Sequence, residues 1–118
     1  MTLKSVILQE KDDLIRSVQE LIRIRSVHGE PQPGKPFGEG VDAALDYVLD
    51  LAASMGFSTR KLDGYCGYAE YGQGELYIGV LSHVDICPEG EMWGVPPYGG
   101  VIRDNRIYGR GAMDNKGP

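Results

Sequence analysis

Three residues in the last third of the chain have the types and the spacing to do chemistry: His83, Asp85 and Asp114. His83 and Asp85 stand two apart in Ser82-His83-Val84-Asp85, directly after the near-continuous apolar run Leu76-Tyr77-Ile78-Gly79-Val80-Leu81. At the end of a strand, a period of two sends both side chains out on one face and Val84 to the other. A neutral imidazole there can bind a metal, and a neighbouring carboxylate can hold its second nitrogen and fix the tautomer. The same pair also describes an ordinary hydrogen-bonded strand terminus, so His-x-Asp alone leaves both readings open. Asp114 lies in Gly109-Arg110-Gly111-Ala112-Met113-Asp114-Asn115-Lys116-Gly117-Pro118, a turn bracketed by glycines. A carboxylate has an oxygen for each of two cations, which an imidazole lacks; Asp-Asn and Gly-Pro are equally ordinary turn residues. A phosphate cradle built on Gly111 and Lys116 fails on detail, since no Gly-Lys-Ser/Thr is present and no helical pattern follows.

Such residues need elements to position them. From about Ser5 to Arg25, Val6, Ile7, Leu14, Ile15, Val18, Leu21 and Ile22 recur at helical spacing and predict one helix. A breaker-rich loop follows, His28 to Gly40, with Pro31, Pro33 and Pro36. Val41, Ala44, Leu45, Val48, Ala52 and Met55 then predict a second helix with one buried stripe, and Gly56 sits where a left-handed C-terminal cap belongs. Beyond it the period changes. Phe57–Leu62 alternates as a half-buried strand does, and Gly67–Tyr71 is a second strand. The run Leu76–Leu81 has the composition of a strand covered on both faces. Val101–Tyr108 reads as a hairpin turning at Asp104-Asn105. Two helices followed by a mixed β-sheet predict an α/β layered domain, with no internal linker or boundary.

Composition narrows the function. A chain of 118 residues is one domain's worth, with 42% hydrophobic and 25% charged residues, as in globular proteins. The net charge of -5 argues against nucleic acid or an anionic membrane surface as partner. The longest strictly apolar runs, such as Val6-Ile7-Leu8, fall far short of a membrane span or a secretory signal, so a cytoplasmic location is expected. Two cysteines, Cys66 and Cys87, make no disulfide framework. Of 17 glycines, 11 fall between Gly64 and Gly111, which indicates many tight turns around the candidate site.

Taken together, Leu81-Ser82-His83-Val84-Asp85, Trp93, Pro97-Tyr98-Gly99-Gly100, Arg106-Ile107-Tyr108-Gly109-Arg110-Gly111 and Asp114-Asn115-Lys116-Gly117 resemble the co-catalytic zinc metallopeptidase family. Its members include aminoacylases, carboxypeptidase G and succinyl-diaminopimelate desuccinylase. Phe37-Gly38-Glu39-Gly40-Val41 is similar to its PepV-type bacterial dipeptidase branch. The resemblance implies that His83 is the first histidine ligand of one zinc and that Asp85 orients this imidazole as part of the catalytic apparatus. It implies that Asp114 bridges both metals and that the Asp114-Asn115 peptide bond is often cis. Many members have Asp where this chain has Asn115. The implied reaction is hydrolysis of the amide bond of a dipeptide or small peptide at two Zn2+ ions. Mn2+ or Co2+ can replace zinc in carboxylate-rich sets. The same motifs also serve deacylases and desuccinylases of N-acyl amino acids, and a non-catalytic remnant would share them.

The resemblance further implies that the general base, the remaining ligands and a smaller lid or dimerisation domain lie beyond Pro118. Residues 1–118 would then be the N-terminal portion of the catalytic domain, incomplete and inactive alone, with exposed apolar surface around Leu76–Leu81. The oligomeric state is not legible. His28, in the proline-rich loop, reads as a surface residue. Cys87, two positions after Asp85, is close enough for a thiolate ligand, but the family usually has an aliphatic residue there, and a small buried side chain is expected instead. Trp93, with Pro96, Pro97 and Tyr98, is expected to pack the loop beneath the site rather than to line a substrate pocket. Arg110 is expected either at a substrate carboxylate or in a salt bridge near Asp114 or Asp85, and Lys116 to be structural.

Overall fold

Two amphipathic helices carry the rest of the molecule. The computed structural model describes residues 1–118, with α1 Leu3–Gln9, α2 Lys11–Arg23, α3 Glu39–Ser54, β1 Ser58–Leu62, β2 Cys66–Glu70, β3 Val101–Arg103, β4 Arg106–Tyr108 and a wide π-type turn Ala112–Lys116. Helix α2 carries Asp12 and Asp13 in its first turn and Arg23 in its last, charges that complement its dipole. It buries Leu21 and Ile22 at its C-terminal end.

The single helix predicted over Ser5–Arg25 is two. Glu10 takes φ -85° and ψ -2° between them. The first piece starts independently on a capping box, in which Thr2 and Ser5 exchange side-chain and backbone hydrogen bonds. It buries none of its residues, so Val6, Ile7 and Leu8 find no layer to pack on.

Helix α3 forms as predicted, but Met55, the last residue of the predicted stripe, is exposed at its C-terminal end. Val41 and Ala44 are buried, and the chain leaves the helix through Gly56 at φ 92°. The Phe57 and Gly56 N–H groups donate to the carbonyls of Ala52 and Ala53, the paired bonds of a Schellman cap. The predicted strands on either side of Asp63-Gly64 form the antiparallel hairpin β1–β2, with Leu62 opposite Cys66 and Ser58 opposite Glu70. It lies against α3: the Lys61 ammonium sits 2.5 Å from Asp42 Oδ1 and 2.7 Å from Asp46 Oδ1. A Cβ at Gly67 would come within 2.7 Å of Leu49 Cδ1 and 3.1 Å of Arg60 O, so a larger residue there would make Leu49 shift. The second hairpin, β3–β4, turns at Asp104 and Asn105 with φ 50° and 58°, the left-handed pair of a type I′ turn.

The mixed α/β class is as predicted, with its strands in two separate two-stranded sheets. Leu76–Leu81 does not form the predicted strand, although its exposure is as expected. This run pairs with nothing, and Leu76, Tyr77, Ile78, Val80 and Leu81 are 91–100% exposed. Residues 1–118 supply no strand beside it and no helix over either face. The radius of gyration of 15.7 Å and the 20 Å thinnest dimension fit this open side. A compact globule of this length would have a radius of roughly 13.5 Å.

The core sits where α2 ends. Leu21, Ile22, Val41, Ala44 and Ile86 are its buried apolar residues. Val27 and Ile86 form a parallel bridge, the Ile86 N–H donates to Ser26 O (3.1 Å), and Ser26 Oγ donates to Val84 O (2.6 Å). Gly109, just past β4, passes so close that an added Cβ would lie 2.5 Å from Ile22 Cγ2. Segments 82–86 and 109–116 are thus tied to one helix end. No helix is long and apolar enough to cross a membrane.

Candidate metal centre

The parallel bridge at Ile86 fixes the segment that carries His83 and Asp85. Their side chains leave on one face: His83 Nδ1 lies 3.1 Å from Asp85 Oδ1 and 3.2 Å from the Asp85 carbonyl. Asp114 is delivered from the other direction. The chain leaves β4, is held by the Arg110 N–H donating to Pro97 O (2.7 Å), and turns through Gly111 at φ 85°. The Lys116 N–H donates back to Gly111 O (2.8 Å), and the Asp114-Asn115 peptide bond is cis. Asn115 Nδ2 donates to Ser82 Oγ at 2.7 Å, clasping the turn to the residue before His83.

The two segments converge. His83 Nε2 lies 3.0 Å from Asp114 Oδ1, 31 positions away in sequence. The imidazole is therefore held between two carboxylates, Asp85 on one nitrogen and Asp114 on the other. Accepting from the ring, Asp114 is the largest influence raising His83 above its ordinary value, with Asp85 adding to it. An imidazolium donates to both acids at once; a cation between Nε2 and Oδ1 would take the place of the proton facing Asp114. The separation suits that exchange. Two ligands about 2.0–2.1 Å from a tetrahedral zinc stand about 3.3 Å apart, close to what is found here. Asp85 on Nδ1 completes the carboxylate–histidine arrangement that orients metal-binding imidazoles.

His83, Asp85, Cys87, Arg110 and Asp114 line a cavity of about 190 Å³ that opens to solvent. No group of three or more His, Cys, Asp or Glu side chains is placed to hold a metal ion together. A catalytic zinc takes three protein ligands. His83 and Asp114 therefore fit a metal as part of a set, not as a whole one.

Several neighbours differ from expectation. Cys87 is exposed at the cavity, not buried, because the core contact of this segment is made by Ile86. Arg110 reaches neither aspartate. It donates to Glu89 O (3.3 Å) and lies over the Trp93 ring, 5.3 Å from its centroid. Trp93 packs the loop as predicted, donating from Nε1 to Glu89 O at 2.6 Å. His28 is exposed, edge-on to Phe37.

Glu89 is the organiser that sequence reasoning missed, since a glutamate in Pro88-Glu89-Gly90 looks like a solvated turn. Tyr98 OH donates to it at 2.6 Å and Arg25 Nη2 at 3.0 Å. Led by the tyrosine, these donors hold its carboxyl at about 2. Lys116, read from the sequence as structural, is placed accordingly. It is buried, and burial lowers its ammonium to about 8.

No family model matches the chain. The chain is 51% identical over 114 residues to a Bacillus subtilis protein named "Putative dipeptidase YtjP", covering 95% of this chain and 25% of that protein. Like-named proteins of Staphylococcus epidermidis and Staphylococcus haemolyticus are 37% and 36% identical over 117 residues, 98% of this chain and 25% of theirs. The chain is thus similar over nearly its whole length to proteins named as dipeptidases, and spans about a quarter of the length of those relatives.

Proposed function

We propose that these residues form the first part of a two-metal dipeptidase, in which His83 and Asp114 are metal ligands and Asp85 positions His83. The observation that carries the reading is the approach of His83 Nε2 to Asp114 Oδ1 at 3.0 Å, with Asp85 on the opposite ring nitrogen. The similarity to proteins named as dipeptidases supports the substrate class. Asp85 would fix the tautomer and direction of the ring, leaving Nε2 free as a donor to the metal. Asp114, with two oxygens and an exposed side chain, is suited to bridge two cations. Bound Zn2+, with Mn2+ or Co2+ as substitutes, would polarise the scissile carbonyl and make water nucleophilic at neutral pH. The further ligands and the general base would come from the part of the protein that the longer relatives possess and these 118 residues do not include. Strands from the same part would cover Leu76–Leu81 and turn the exposed run into an interior strand.

The test is turnover by the protein of the relatives' length, stripped with a chelator and reloaded with zinc, manganese or cobalt. Chelator-reversible hydrolysis of dipeptides with free termini, lost in His83→Ala and Asp114→Ala, is expected. Hydrolysis indifferent to chelation or to both substitutions contradicts the reading, and preference for N-acyl amino acids assigns the site to deacylation instead. The 118-residue chain alone is expected to turn over nothing.

A further inference from the structure

We infer that Lys116 is a positioning residue for the metal centre: seated on the C-terminal carbonyls of α2, its ammonium fixes where Asp114 meets His83. The inference rests on the two-metal reading above. Its ground is a contrast between the two ligands and their support. The His83 and Asp114 side chains are 47% and 84% exposed, so packing around them does not hold them in place. Lys116, two residues beyond Asp114, is only 5% exposed.

A buried, charged, flexible side chain is costly unless its donors are satisfied. Here Lys116 Nζ donates to Leu21 O at 2.8 Å and to Ile24 O at 2.6 Å. The end of a helix leaves carbonyls without partners and carries partial negative charge, which makes it a natural seat for an ammonium. The lysine stem passes beneath Gly111, where an added Cβ would lie 3.3 Å from Lys116 Cδ. Its own N–H closes the turn on Gly111 O. On the other side, Asn115 clasps Ser82, the neighbour of His83. Asp114 is therefore pinned through the next residue to the segment bearing His83, and through Lys116 to the most buried corner of the core. The helix end thereby sets the geometry of a ligand that does not touch it.

The experiment compares the protein of the relatives' length with Lys116→Met, Lys116→Arg, Lys116→Gln and, as a control, His83→Ala. Zinc affinity is read by chelator competition, ligand geometry by the visible spectrum of the cobalt form, and turnover as separate kcat and KM. For Lys116→Met the expected result is metal affinity 10–100-fold weaker, as when groups that orient metal ligands are removed. A changed cobalt spectrum and a lower kcat at unchanged KM should accompany it. Lys116→Arg, which keeps a charged donor for the carbonyls, should recover most of the loss. A merely structural lysine would lower the melting temperature and leave the spectrum and affinity of the folded protein alone. Should the Met variant fail to fold, Lys116→Gln, which keeps a neutral donor in the buried seat, decides on the same readouts. Folded Met or Gln variants with wild-type affinity, spectrum and kcat overturn the inference. Wild-type protein that binds no metal, or that matches His83→Ala, instead removes the metal reading and this inference with it.

Discussion

Ile22 and Ile78 are the same side chain in opposite circumstances. Ile22 is fully buried at the end of α2, against Gly109 and beside the seat of Lys116, whereas Ile78 is 95% exposed in a run that pairs with nothing. Both lie in segments whose composition suits a core. The difference lies in what the rest of the chain supplies. Around Ile22, three stretches distant in sequence meet: α2 with the residues that follow it to Val27, residues 82–86, and the turn from Gly109 to Lys116. Around Ile78 there is no second layer. Apolar sequence alone therefore does not make a buried strand; it needs neighbours that satisfy its backbone and cover its faces.

The sharpest way to break that comparison is to truncate both residues. In the 118-residue chain, Ile22→Ala should cost about 2–5 kcal/mol and Ile78→Ala within about 0.5 kcal/mol, measured by denaturant unfolding. In the protein of the relatives' length the gap should close, because covering strands would make Ile78 a core residue there. An Ile78→Ala variant that remains silent in the longer protein contradicts that cover. The same bare run should drive self-association of the short chain, and Ile78→Lys should reduce it in sedimentation experiments.

A smaller effect tests the knitted corner itself. Gly111→Ala places a Cβ 2.6 Å from Ile86 Cγ2 at φ 85°, and should destabilise by about 1–3 kcal/mol. An alanine variant with an unchanged melting temperature would show that the turn is not wedged between Ile86 and Lys116.

The smallest expected effect is a pH dependence. Glu89 is held at about 2, below its ordinary 4.5, by Tyr98 and Arg25. The native state therefore binds the proton more weakly than the unfolded chain does. This stabilisation is fully present above about pH 4.5 and fades as pH falls through about 2. Glu89→Gln should be less stable than the parent at neutral pH and converge with it near pH 2. Parallel stability curves across that window would show that the Arg25–Glu89–Tyr98 contacts contribute nothing to it.

Much of this was legible in the sequence, where local chemistry decides the outcome. Asp104-Asn105 can adopt the two left-handed residues of a tight hairpin, and the stripe from Val41 to Ala52 ending at Gly56 marks a capped helix. His83 and Asp85 share a face because they are two apart. What the sequence concealed depends on partners far along the chain. The break at Glu10 separates a helix that buries nothing from one whose end sits in the core. The exposure of Leu76–Leu81 is as expected, but its failure to form a strand follows from missing neighbours. The burial of Lys116 follows from a helix end some 90 positions earlier in the chain, and no local pattern announces such a contact. Arg110 illustrates the same point: expected beside Asp114 or Asp85, it is claimed by a carbonyl and an indole ring.

The central claim is that an imidazole and a carboxylate from separate segments hold metal together. Counting cobalt ions bound per chain, in the protein of the relatives' length, tests it most directly. Wild type should bind two ions, His83→Ala should lose one, and Asp114→Ala, deprived of the bridge, should weaken both. An unchanged count and affinity in both variants would contradict the account.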